Sequence, residues 1–421
     1  MQSIIIDGSK RLRGEINIQG SKNSSLPILA ATVLIDGVSV IHNCPELTDV
    51  TAAVRILEHL GCRVSRSGYT VTVDARGVSD YTIPDALMRE MRSSIVFLGS
   101  VLGRTGNAVL SSPGGCEIGL RPIDLHLSSL RKLGAEIDES GGEIRCSMPE
   151  RKTGAVISLS FPSVGATENI ILATAFSKGR TVILNAAREP EIVDLARFLN
   201  SAGCKIEVGR EGTVVINGAE KSHSCEHSVI SDRIVALTYL CAAASTGGDV
   251  VLNNVSTGHF LSVLPLFEAA GCRIDSSRNS VRLKNESRPR AIRDIRTMPY
   301  PGFPTDAQAP FMAMVSVARG TSVIVENIFE SRFKHVSELS KMGARIKIEG
   351  KVALIDGVEK LRGARVRSPD LRGGAALVIA GLAAEGRTEL TGLEHIDRGY
   401  EKIEESLKSL GADIYRSTVK E

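Results

Sequence analysis

The sequence predicts an α/β protein with two domains, each built from three repeats in which parallel helices lie inside and strands lie outside. Three observations predict this fold class. A glycine that ends a helix recurs six times, a second series of glycines follows at the same interval, and the helices before the second series are apolar on nearly every side. Regular self-similarity of this kind is typical of chains built from one repeated structural unit.

The first series of glycines follows the pattern apolar-x-x-x-Gly-(Ala or Cys)-x-(Ile or Val). A glycine directly after an apolar periodic run is typical of a helix C-terminus, and the β-branched residue that follows begins the next strand. The six glycines are Gly61, Gly134, Gly203, Gly271, Gly343 and Gly411. Cys62, Cys204 and Cys272 occupy the small-residue position of this pattern, so we expect them to be buried and unreactive.

The second series is predicted to end an apolar helix and to begin a strand in each repeat. Its members are Gly37, Gly106, Gly179, Gly248, Gly320 and Gly386. Every repeat therefore contains two helices that are separated and followed by strands. The helices predicted over residues 26–34, 170–176 and 375–383 are apolar all round, which indicates that they are buried inside a domain.

The six repeats divide into two predicted domains of three. Residues 21–229 form the domain that carries a loop around Cys116, and residues 1–20 with 230–421 form the second domain. The break falls near residues 228–231, and a first strand over residues 4–20 crosses to the second domain. We expect the active site to lie in the cleft between the domains.

Composition excludes several classes of function. The 421 residues carry a formal net charge of +3, with 4% aromatic residues and no tryptophan, so neither a broad polyanion surface nor a base-stacking platform is expected. The N-terminus lacks the basic and apolar regions of a signal peptide, and no apolar run is long enough to span a bilayer. The eight cysteines form no Cys-x-x-Cys pair, which favours free thiols in the cytoplasm.

One short cluster, His223-Ser-Cys225-Glu-His227, contains residue types that bind metals. A loop between the two domains is the favoured interpretation, because a second pair of ligands is missing, and we expect no metal site. The sequence contains neither a nucleoside-triphosphate loop nor a dinucleotide-binding fingerprint, so we expect no cofactor.

Charged residues mark the predicted starts of the buried helices, although the helices themselves are apolar. The six equivalent positions hold Lys22, Arg92, Gly165, Arg233, Asp306 and Arg372. Helix N-termini bind anions, and parallel helices would present these residues on one side of each domain. The alternative is that these residues only cap helices and form ion pairs. Arg332 and Arg398 are predicted at the start of the second helix of their repeats, and guanidinium groups suit phosphate and carboxylate oxygens.

The second repeat contains a longer segment, residues 111–124, with Pro113 and three glycines. Such a segment is expected to move, and it presents Cys116 with Arg121 nearby. A cysteine in a cation-rich mobile loop is a candidate nucleophile or proton donor, and an incidental thiol is the alternative.

Six motifs together resemble the UDP-N-acetylglucosamine 1-carboxyvinyltransferases of the enolpyruvyl transferase family. They are Gly20-Ser-Lys-Asn23, Pro113-Gly-Gly-Cys-x-Ile-Gly-x-Arg-Pro-x-Asp124, Ser163-Val-Gly-Ala-Thr-Glu-Asn169, Phe303-Pro-Thr-Asp-x-Gln308, Asp370-Leu-Arg372 and His395-Ile-Asp-Arg-Gly-Tyr-Glu401. The family fold consists of two inside-out α/β barrels of three units each, which agrees with the fold class predicted from the repeats. The resemblance also implies the substrates, phosphoenolpyruvate and UDP-N-acetylglucosamine, with a role in peptidoglycan synthesis.

The resemblance assigns a role to individual residues. Asp306 would be the base for the sugar hydroxyl or its organiser, and Cys116 would protonate C3 of phosphoenolpyruvate and form a covalent adduct. The residues implied to bind phosphoenolpyruvate are Lys22, Arg92, Cys116, Arg121, Arg372 and Arg398, of which Lys22 and Arg398 are also catalytic. Those implied for the UDP-sugar are Asn23, Arg92, Arg121, Pro122, Ile123, Asp124, Leu125, Ser163, Val164, Gly165, Asp306 and Ile328. Arg332, Asp370 and Arg233 would support the site.

Two positions depart from the family pattern. Residues 234–238 read Ile-Val-Ala-Leu-Thr where the family has Ile-Glu-Ala-Gly-Thr. They lie at a predicted helix start that we expect to face the cleft, so the difference is expected to affect domain closure. Phe161 stands where some members carry lysine near the nucleotide. Three alternative functions are a UDP-sugar-binding paralogue without turnover, the shikimate-pathway relative, which lacks the cysteine loop, and a structural repeat protein. A monomer that binds neither nucleic acid nor membrane is favoured.

Overall fold

The computed structural model describes residues 2–91, 93–111, 123–148 and 154–418. The described residues fold into two units, one from those that lie between 20 and 230 and the other from residues 2–19 with 231–418. They are called below the 20–230 unit and the 231–418 unit. Each has its own hydrophobic core, made from the inner faces of its sheets and from its central helices.

The described residues form fourteen α-helices. They are α1 (Lys22–Thr32), α2 (Thr48–His59), α3 (Asp85–Glu90), α4 (Phe97–Thr105), α5 (Asp124–Lys132), α6 (Val164–Thr174), α7 (Pro190–Ser201), α8 (Arg233–Thr246), α9 (Leu264–Ala269), α10 (Gln308–Ser316), α11 (Val336–Lys341), α12 (Leu371–Ala383), α13 (Leu393–Ile396) and α14 (Ile403–Ser409). Of the helices so described, none is long and apolar enough to cross a membrane.

The strands of the described residues are short, six residues at most. In the first half of the chain they are β1 (Gln2–Asp7), β2 (Arg13–Asn17), β3 (Val38–His42), β4 (Arg63–Ser67), β5 (Thr70–Asp74), β6 (Thr82–Ile83), β7 (Asn107–Ser111), β8 (Glu136–Asp138), β9 (Glu143–Ser147), β10 (Gly154–Ser158), β11 (Arg180–Leu184), β12 (Lys205–Val208), β13 (Val214–Asn217) and β14 (Cys225–Ser228). In the second half they are β15 (Asp249–Asn253), β16 (Arg273–Ser276), β17 (Ser280–Lys284), β18 (Ile295–Arg296), β19 (Thr321–Val325), β20 (Arg345–Glu349), β21 (Val352–Asp356), β22 (Leu361–Arg362), β23 (Arg365–Arg367), β24 (Ala384–Glu385), β25 (Arg387–Thr391) and β26 (Asp413–Thr418).

Six four-stranded sheets, three in each unit as far as the structure describes them, share one topology. The first strand is parallel to the second, and the second, third and fourth are antiparallel to one another in turn. In the 20–230 unit the orders are β14-β3-β5-β4, β6-β7-β9-β8 and β10-β11-β13-β12. In the 231–418 unit they are β2-β15-β17-β16, β18-β19-β21-β20 and β23-β25-β1-β26. The repeat predicted from the glycines is therefore confirmed as six copies of one sheet-and-helix unit.

The first series of glycines lies where the sequence pattern predicted. The outer helices α2, α5, α7, α9, α11 and α14 each end two residues before their glycine. All six glycines have φ between 90° and 111°, the left-handed region in which a Cβ atom is strained. Cys62, Cys204 and Cys272, in the adjoining position, are buried, and this burial raises the pKa of each thiol to about 12.

The inner helices are covered on all sides, as predicted. In the 231–418 unit, α8, α10 and α12 pack against one another, and in the 20–230 unit α4 packs against both α1 and α6. The contact of α4 with α6 depends on Gly99 and Gly103, which lie one turn apart. A Cβ atom at Gly99 would lie 2.4 Å from the Asn169 carbonyl oxygen, and one at Gly103 would lie 2.7 Å from the Leu172 carbonyl oxygen. Only glycine allows the two backbones to approach so closely.

Three local predictions were wrong. Residues 4–20 form two strands rather than one, because the chain turns at Ser9 (φ 73°), so that β1 and β2 enter different sheets. The 223–227 cluster is partly a strand, since β14 runs parallel to β3. Val235 and Leu237 do not lie on an open helix surface: both are buried in the apolar core of the 231–418 unit, because α8 is surrounded from its first turn.

Candidate active site

The central helices begin with residues that oppose the helix dipole. Helices α1 and α8 start at Lys22 and Arg233, Arg372 is the second residue of α12, and no acidic residue occupies the first turn of any of the three. A cation at this end is unfavourable by roughly 0.3–1 kcal/mol. The outer helices α2, α5 and α7 show the usual arrangement, with an acidic residue in the first turn. Three inner helices therefore have a cation in the first turn, which in α8 and α12 comes after an aspartate N-cap.

In the 231–418 unit, the Asp306 carboxylate is held between two buried guanidinium groups. Asp306 lies in a single 3₁₀ turn, Thr305–Ala307, that leads into α10. Nη2 of Arg332 donates to Oδ1 at 2.6 Å, and Nη2 of Arg372 donates to Oδ2 at 3.1 Å. Both arginine side chains are at most 4% exposed, whereas that of Asp306 is 27% exposed. The carboxylate is thus fixed in orientation and remains partly exposed.

Asp370 sets the start of α12, on which Arg372 lies. Its Oδ1 accepts from the backbone N–H groups of Arg372 and Gly373, both at 3.0 Å, so it is the N-cap of the helix. Asp232 caps α8 in the same way through the N–H groups of the two residues after Arg233. Asp370 and Asp232 thus fix the first turns of the helices that carry Arg372 and Arg233. The supporting roles of Asp370 and Arg233 stay predictions.

Several buried polar atoms near Asp306 have no hydrogen-bond partner among the described residues. They are Nε of Arg332, Nε of Arg372, both ring nitrogens of His335 and both amide atoms of Gln308. Burial lowers the pKa of His335 to about 4, with the charge of Asp370 opposing the decrease and the charge of Arg332 adding to it. Unpaired buried polar groups are costly, so their concentration here is typical of a functional site.

Glu326 is a buried carboxylate next to predicted site residues, and sequence reasoning missed it. Its buried carboxylate accepts hydrogen bonds from the hydroxyls of Thr297 (2.8 Å) and Thr305 (2.9 Å) and from the N–H groups of Ile328 (2.8 Å) and Phe329 (3.1 Å). It therefore ties the turn that carries Asp306 to the segment that carries Ile328. A lone glutamate after a strand gives no sequence signal of this role.

Two arginines do not lie at helix starts as predicted. Arg332 lies in a turn four residues before α11, and Arg398 lies between α13 and α14 and is half-buried. Both segments were expected to continue the helical pattern of their sister repeats. The backbone instead turns at these points, and Arg332 reaches Asp306 from its turn.

In the 20–230 unit, Lys22 forms a buried ion pair at the start of α1. Its Nζ lies 2.7 Å from Oδ2 of Asp49 in the first turn of α2, and both side chains are at most 8% exposed. The same helix start is anchored by Ser24, whose hydroxyl donates to Oδ2 of Asp194 at 2.5 Å, while Oδ1 of Asp194 lies 3.0 Å from Nε2 of His227. Lys22 and its neighbour Asn23 are therefore held in place from two sides.

His126 is a second buried polar residue next to predicted site residues that sequence reasoning missed. Oδ1 of Asn169 accepts from the Gly99 N–H group at 2.6 Å, which fixes the orientation of the amide, so its Nδ2 group faces Nδ1 of His126 at 2.8 Å. Since Nδ2 only donates, Nδ1 accepts and the ring proton resides on Nε2. Burial lowers the pKa of His126 to about 4, with Asp124 opposing the decrease. A Cβ atom on Gly165 would lie 3.2 Å from Nε2, so a neutral donor adjoins the start of α6.

The residues predicted for the UDP-sugar fall partly in this region. Ser163 is the N-cap of α6 and accepts from the Ala166 N–H group at 3.3 Å, and Val164 and Gly165 form the first turn. Ile123, Asp124 and Leu125 form the start of α5, where His126 follows. Arg92, Cys116, Arg121 and Pro122 lie outside the described residues. The predicted location of the active site, in a cleft between the domains, stays a prediction.

The metal alternative finds no support in the part of the chain that the structure describes. No group of three or more potential metal-binding side chains occurs there. In the 223–227 cluster, His227 pairs with Asp194, Cys225 lies 3.8 Å from the Ser39 hydroxyl, and Nδ1 of His223 lies 3.1 Å from the Ser224 carbonyl oxygen.

Known proteins resemble this chain over nearly its whole length. The sequence model of the EPSP synthase (3-phosphoshikimate 1-carboxyvinyltransferase) family matches residues 6–407. The chain is 54% identical to UDP-N-acetylglucosamine 1-carboxyvinyltransferase 2 of Caldanaerobacter subterraneus subsp. tengcongensis over 411 residues, which cover 98% of each chain. It is 46% identical to the UDP-N-acetylglucosamine 1-carboxyvinyltransferase of Geobacter metallireducens, with 99% of each chain covered.

Solved structures show the same fold. The enolpyruvyl transferase NikO from Streptomyces tendae superposes with a TM-score of 0.90 at 25% identity, with 100% of this chain and 99% of that chain covered. The EPSP synthase from Acinetobacter baumannii superposes with a TM-score of 0.75 at 18% identity, with 99% of this chain and 100% of that chain covered. The second likeness shows the fold alone, and both support the predicted pair of inside-out α/β barrels.

Proposed function

The chain belongs to the enolpyruvyl transferase family, and we propose that it transfers the enolpyruvyl group of phosphoenolpyruvate to the 3′-hydroxyl of UDP-N-acetylglucosamine with release of phosphate. The relatives that are 44–54% identical over nearly the full chain carry the name of this activity. The six sequence motifs point to the same branch of the family. The reaction would commit the sugar to peptidoglycan synthesis.

The observation that carries the proposal is the Asp306 carboxylate, fixed by Arg332 and Arg372 and partly exposed. A carboxylate of this kind accepts the proton of a sugar hydroxyl or holds that hydroxyl in line for attack. The two guanidinium groups each bind one of its oxygens, so the carboxylate is held in a fixed orientation toward the hydroxyl. Arg372 retains further N–H groups for an anionic substrate oxygen.

The reaction has two steps in which atoms and protons balance. The sugar oxygen attacks C2 of phosphoenolpyruvate while C3 takes up a proton, which gives a tetrahedral adduct. Loss of phosphate from C2 and of a proton from C3 then restores the double bond. We assign proton delivery to C3 to Cys116, with base or organising work at the hydroxyl to Asp306.

Cations would stabilise the phosphate, the carboxylate and the charge that develops between them. We assign this work to Lys22, Arg92, Arg121, Arg372 and Arg398. Lys22 is well suited to a fixed position, because its pairing with Asp49 and the packing of α1 restrict it before substrate binds. The UDP-sugar contacts would come from the starts of α5 and α6 and from Asn23, Asp306 and Ile328.

The proposed activity implies further properties. Peptidoglycan precursors are made in the cytoplasm, and their supply governs cell wall growth, cell shape and cell division. An epoxide phosphonate such as fosfomycin should alkylate Cys116 and stop turnover, since this thiol is the proposed reactive group.

Phosphate release from phosphoenolpyruvate tests the proposal, with UDP-N-acetylglucosamine or shikimate 3-phosphate as acceptor. We expect turnover with the UDP-sugar only. Turnover with shikimate 3-phosphate instead would assign the other branch, and a thermal shift with UDP-N-acetylglucosamine without phosphate release would assign a binding protein.

Mass spectrometry tests the role of Cys116 separately. Wild-type protein should gain the mass of fosfomycin on Cys116, and Cys116→Ala should not. Cys225→Ala is the matched control, because Cys225 is the one described cysteine that is only partly buried. Labelling that persists in Cys116→Ala would contradict the assignment.

A further inference from the structure

Tyr400 connects Arg372 to helix α8 through a chain of hydrogen bonds. Tyr400 is 1% exposed, and its hydroxyl oxygen lies 3.1 Å from Nη1 of Arg372 and 2.9 Å from Oγ1 of Thr238. Oγ1 of Thr238 also lies 2.9 Å from the Ile234 carbonyl oxygen. The carbonyl only accepts, so the Thr238 proton is directed to it.

The direction of every hydrogen bond in this chain follows. Because Thr238 donates to Ile234, its oxygen accepts the proton of Tyr400, and the Tyr400 oxygen accepts an N–H group of Arg372. Each donor is polarised by the next bond, so the chain strengthens as a unit. Burial raises the pKa of Tyr400 while Arg372 opposes the increase, and the phenol therefore stays protonated at neutral pH.

The other end of the same guanidinium binds Asp306. Nη1 of Arg372 donates to Tyr400 and Nη2 donates to Asp306, so two bonds on different nitrogens fix both the position and the plane of the group. The Tyr400 ring adds a cation–π contact, with its centroid 5.4 Å from Cζ of Arg372. Loss of the hydroxyl would remove one of the two fixed points.

We propose that Tyr400 is a positioning residue whose hydroxyl holds Arg372 in the orientation that binds both Asp306 and an anionic oxygen of phosphoenolpyruvate. The inference rests on the proposed function and deepens it. It also connects Arg372 to residues 234–238, the segment that departs from the family pattern, because the chain of hydrogen bonds runs through Thr238 to the Ile234 carbonyl oxygen.

The test compares Tyr400→Phe with Tyr239→Phe. Tyr239 is also a buried tyrosine of the same unit, and burial raises its pKa while Ser406, not an arginine, opposes the increase. Each variant loses one buried hydroxyl, so the two match in their structural cost. We expect Tyr400→Phe to raise the Kd and the KM for phosphoenolpyruvate about tenfold, the effect of losing one hydrogen bond to a charged group, with the KM for the UDP-sugar unchanged. Tyr239→Phe should leave all three values unchanged.

The Kd for phosphoenolpyruvate is measured by isothermal titration without the UDP-sugar, so that no turnover consumes the ligand, and turnover with both substrates is measured separately on the same protein samples. If the Tyr400 hydroxyl served only to stabilise the fold, Tyr400→Phe would contain a smaller fraction of active protein. Its kcat would then fall, and its Kd and KM would not change. Equal Kd values for wild type and Tyr400→Phe would overturn the inference while leaving the proposed function standing. Binding of phosphoenolpyruvate without phosphate release in wild type would overturn the proposed function, and the Kd comparison would still decide the role of Tyr400.

A second variant covers the case in which Tyr400→Phe does not fold. Thr238→Val keeps the volume of the side chain and removes the acceptor of the Tyr400 proton. We expect a rise of about threefold in the Kd for phosphoenolpyruvate, since the hydroxyl stays but loses its fixed orientation. An unchanged Kd in Thr238→Val would overturn the inference, as would the absence of phosphoenolpyruvate binding in wild type.

Discussion

Replacing His126 by glutamine should make the stability of the 20–230 unit less sensitive to acid. Burial lowers the pKa of His126 from 6.5 to about 4, despite the opposing effect of Asp124. Between these two values the unfolded chain binds a proton that the native protein does not bind. The free energy of unfolding therefore falls as the pH decreases from about 6.5 to about 4. Above about pH 6.5 the neutral, buried ring lowers the stability of the native protein no further, and the full stability is present.

The size of the effect follows from the shift. A decrease of about 2.5 pKa units corresponds to roughly 3 kcal/mol once both states are protonated, and about 2 kcal/mol of this is lost between pH 7.5 and pH 5. For a unit of about 200 residues, each kcal/mol changes the Tm by about 2–4 °C. Acidification to pH 5 should thus lower the Tm of wild type by about 4–8 °C more than that of His126→Gln.

Thermal unfolding followed by circular dichroism at pH 7.5 and pH 5 measures this difference. His126→Gln is also expected to lose about 1–2 kcal/mol at both pH values, because the Asn169 amide loses its ring partner, so only the change with pH is compared. His223→Gln, at an exposed histidine, controls for the loss of a ring. If His126→Gln loses as much Tm on acidification as wild type, His126 does not have the depressed pKa that its burial implies.

Three further predictions follow from the packing and the ion pairs. Gly99→Ala should lower the free energy of unfolding by about 3 kcal/mol in urea titrations, because the new methyl group meets the α6 backbone. Gly258→Ala is the control: there is open space around Gly258, so the free energy of unfolding should change by less than about 1 kcal/mol. Asp306→Asn should lower kcat by about 10²–10⁴ with little change in UDP-sugar affinity, and unchanged turnover would exclude it as base or organiser. Asp49→Asn should lower the free energy of unfolding by about 3 kcal/mol in urea titrations, because the Lys22 ammonium stays buried without the Asp49 carboxylate. The double variant Lys22→Met with Asp49→Leu should recover most of this loss.

The sequence predicts the repeat well because the repeat depends on local backbone geometry. A helix followed by a strand needs a left-handed residue between them, and glycine supplies it at all six predicted positions. Apolar residues on every side of a helix likewise predict burial without any knowledge of its neighbours. The two strands within residues 2–17 were missed, because a turn at Ser9, with neither proline nor glycine at the left-handed position, has a weak signal.

The partners of the site residues could not be predicted in the same way. Lys22 pairs with Asp49 and His126 pairs with Asn169, and in each case the two residues lie on different helices whose contact depends on the tertiary packing. Spacing along the chain identifies where a helix begins, but not which side chain of a neighbouring helix lies opposite. Glu326 is the extreme example, since it joins two predicted substrate segments and has no motif of its own.

The repeats differ more at the starts of the inner helices than at the ends of the outer helices. Each outer helix ends two residues before a glycine in the left-handed region, so that glycine cannot vary from repeat to repeat without strain. Each start requires only a cap, which several side chains provide, so the first turn is free to differ. The equivalent positions accordingly hold a lysine, a glycine, an aspartate and two arginines among the described repeats, at Lys22, Gly165, Asp306, Arg233 and Arg372. A repeated scaffold can therefore carry a different charge at the start of each inner helix.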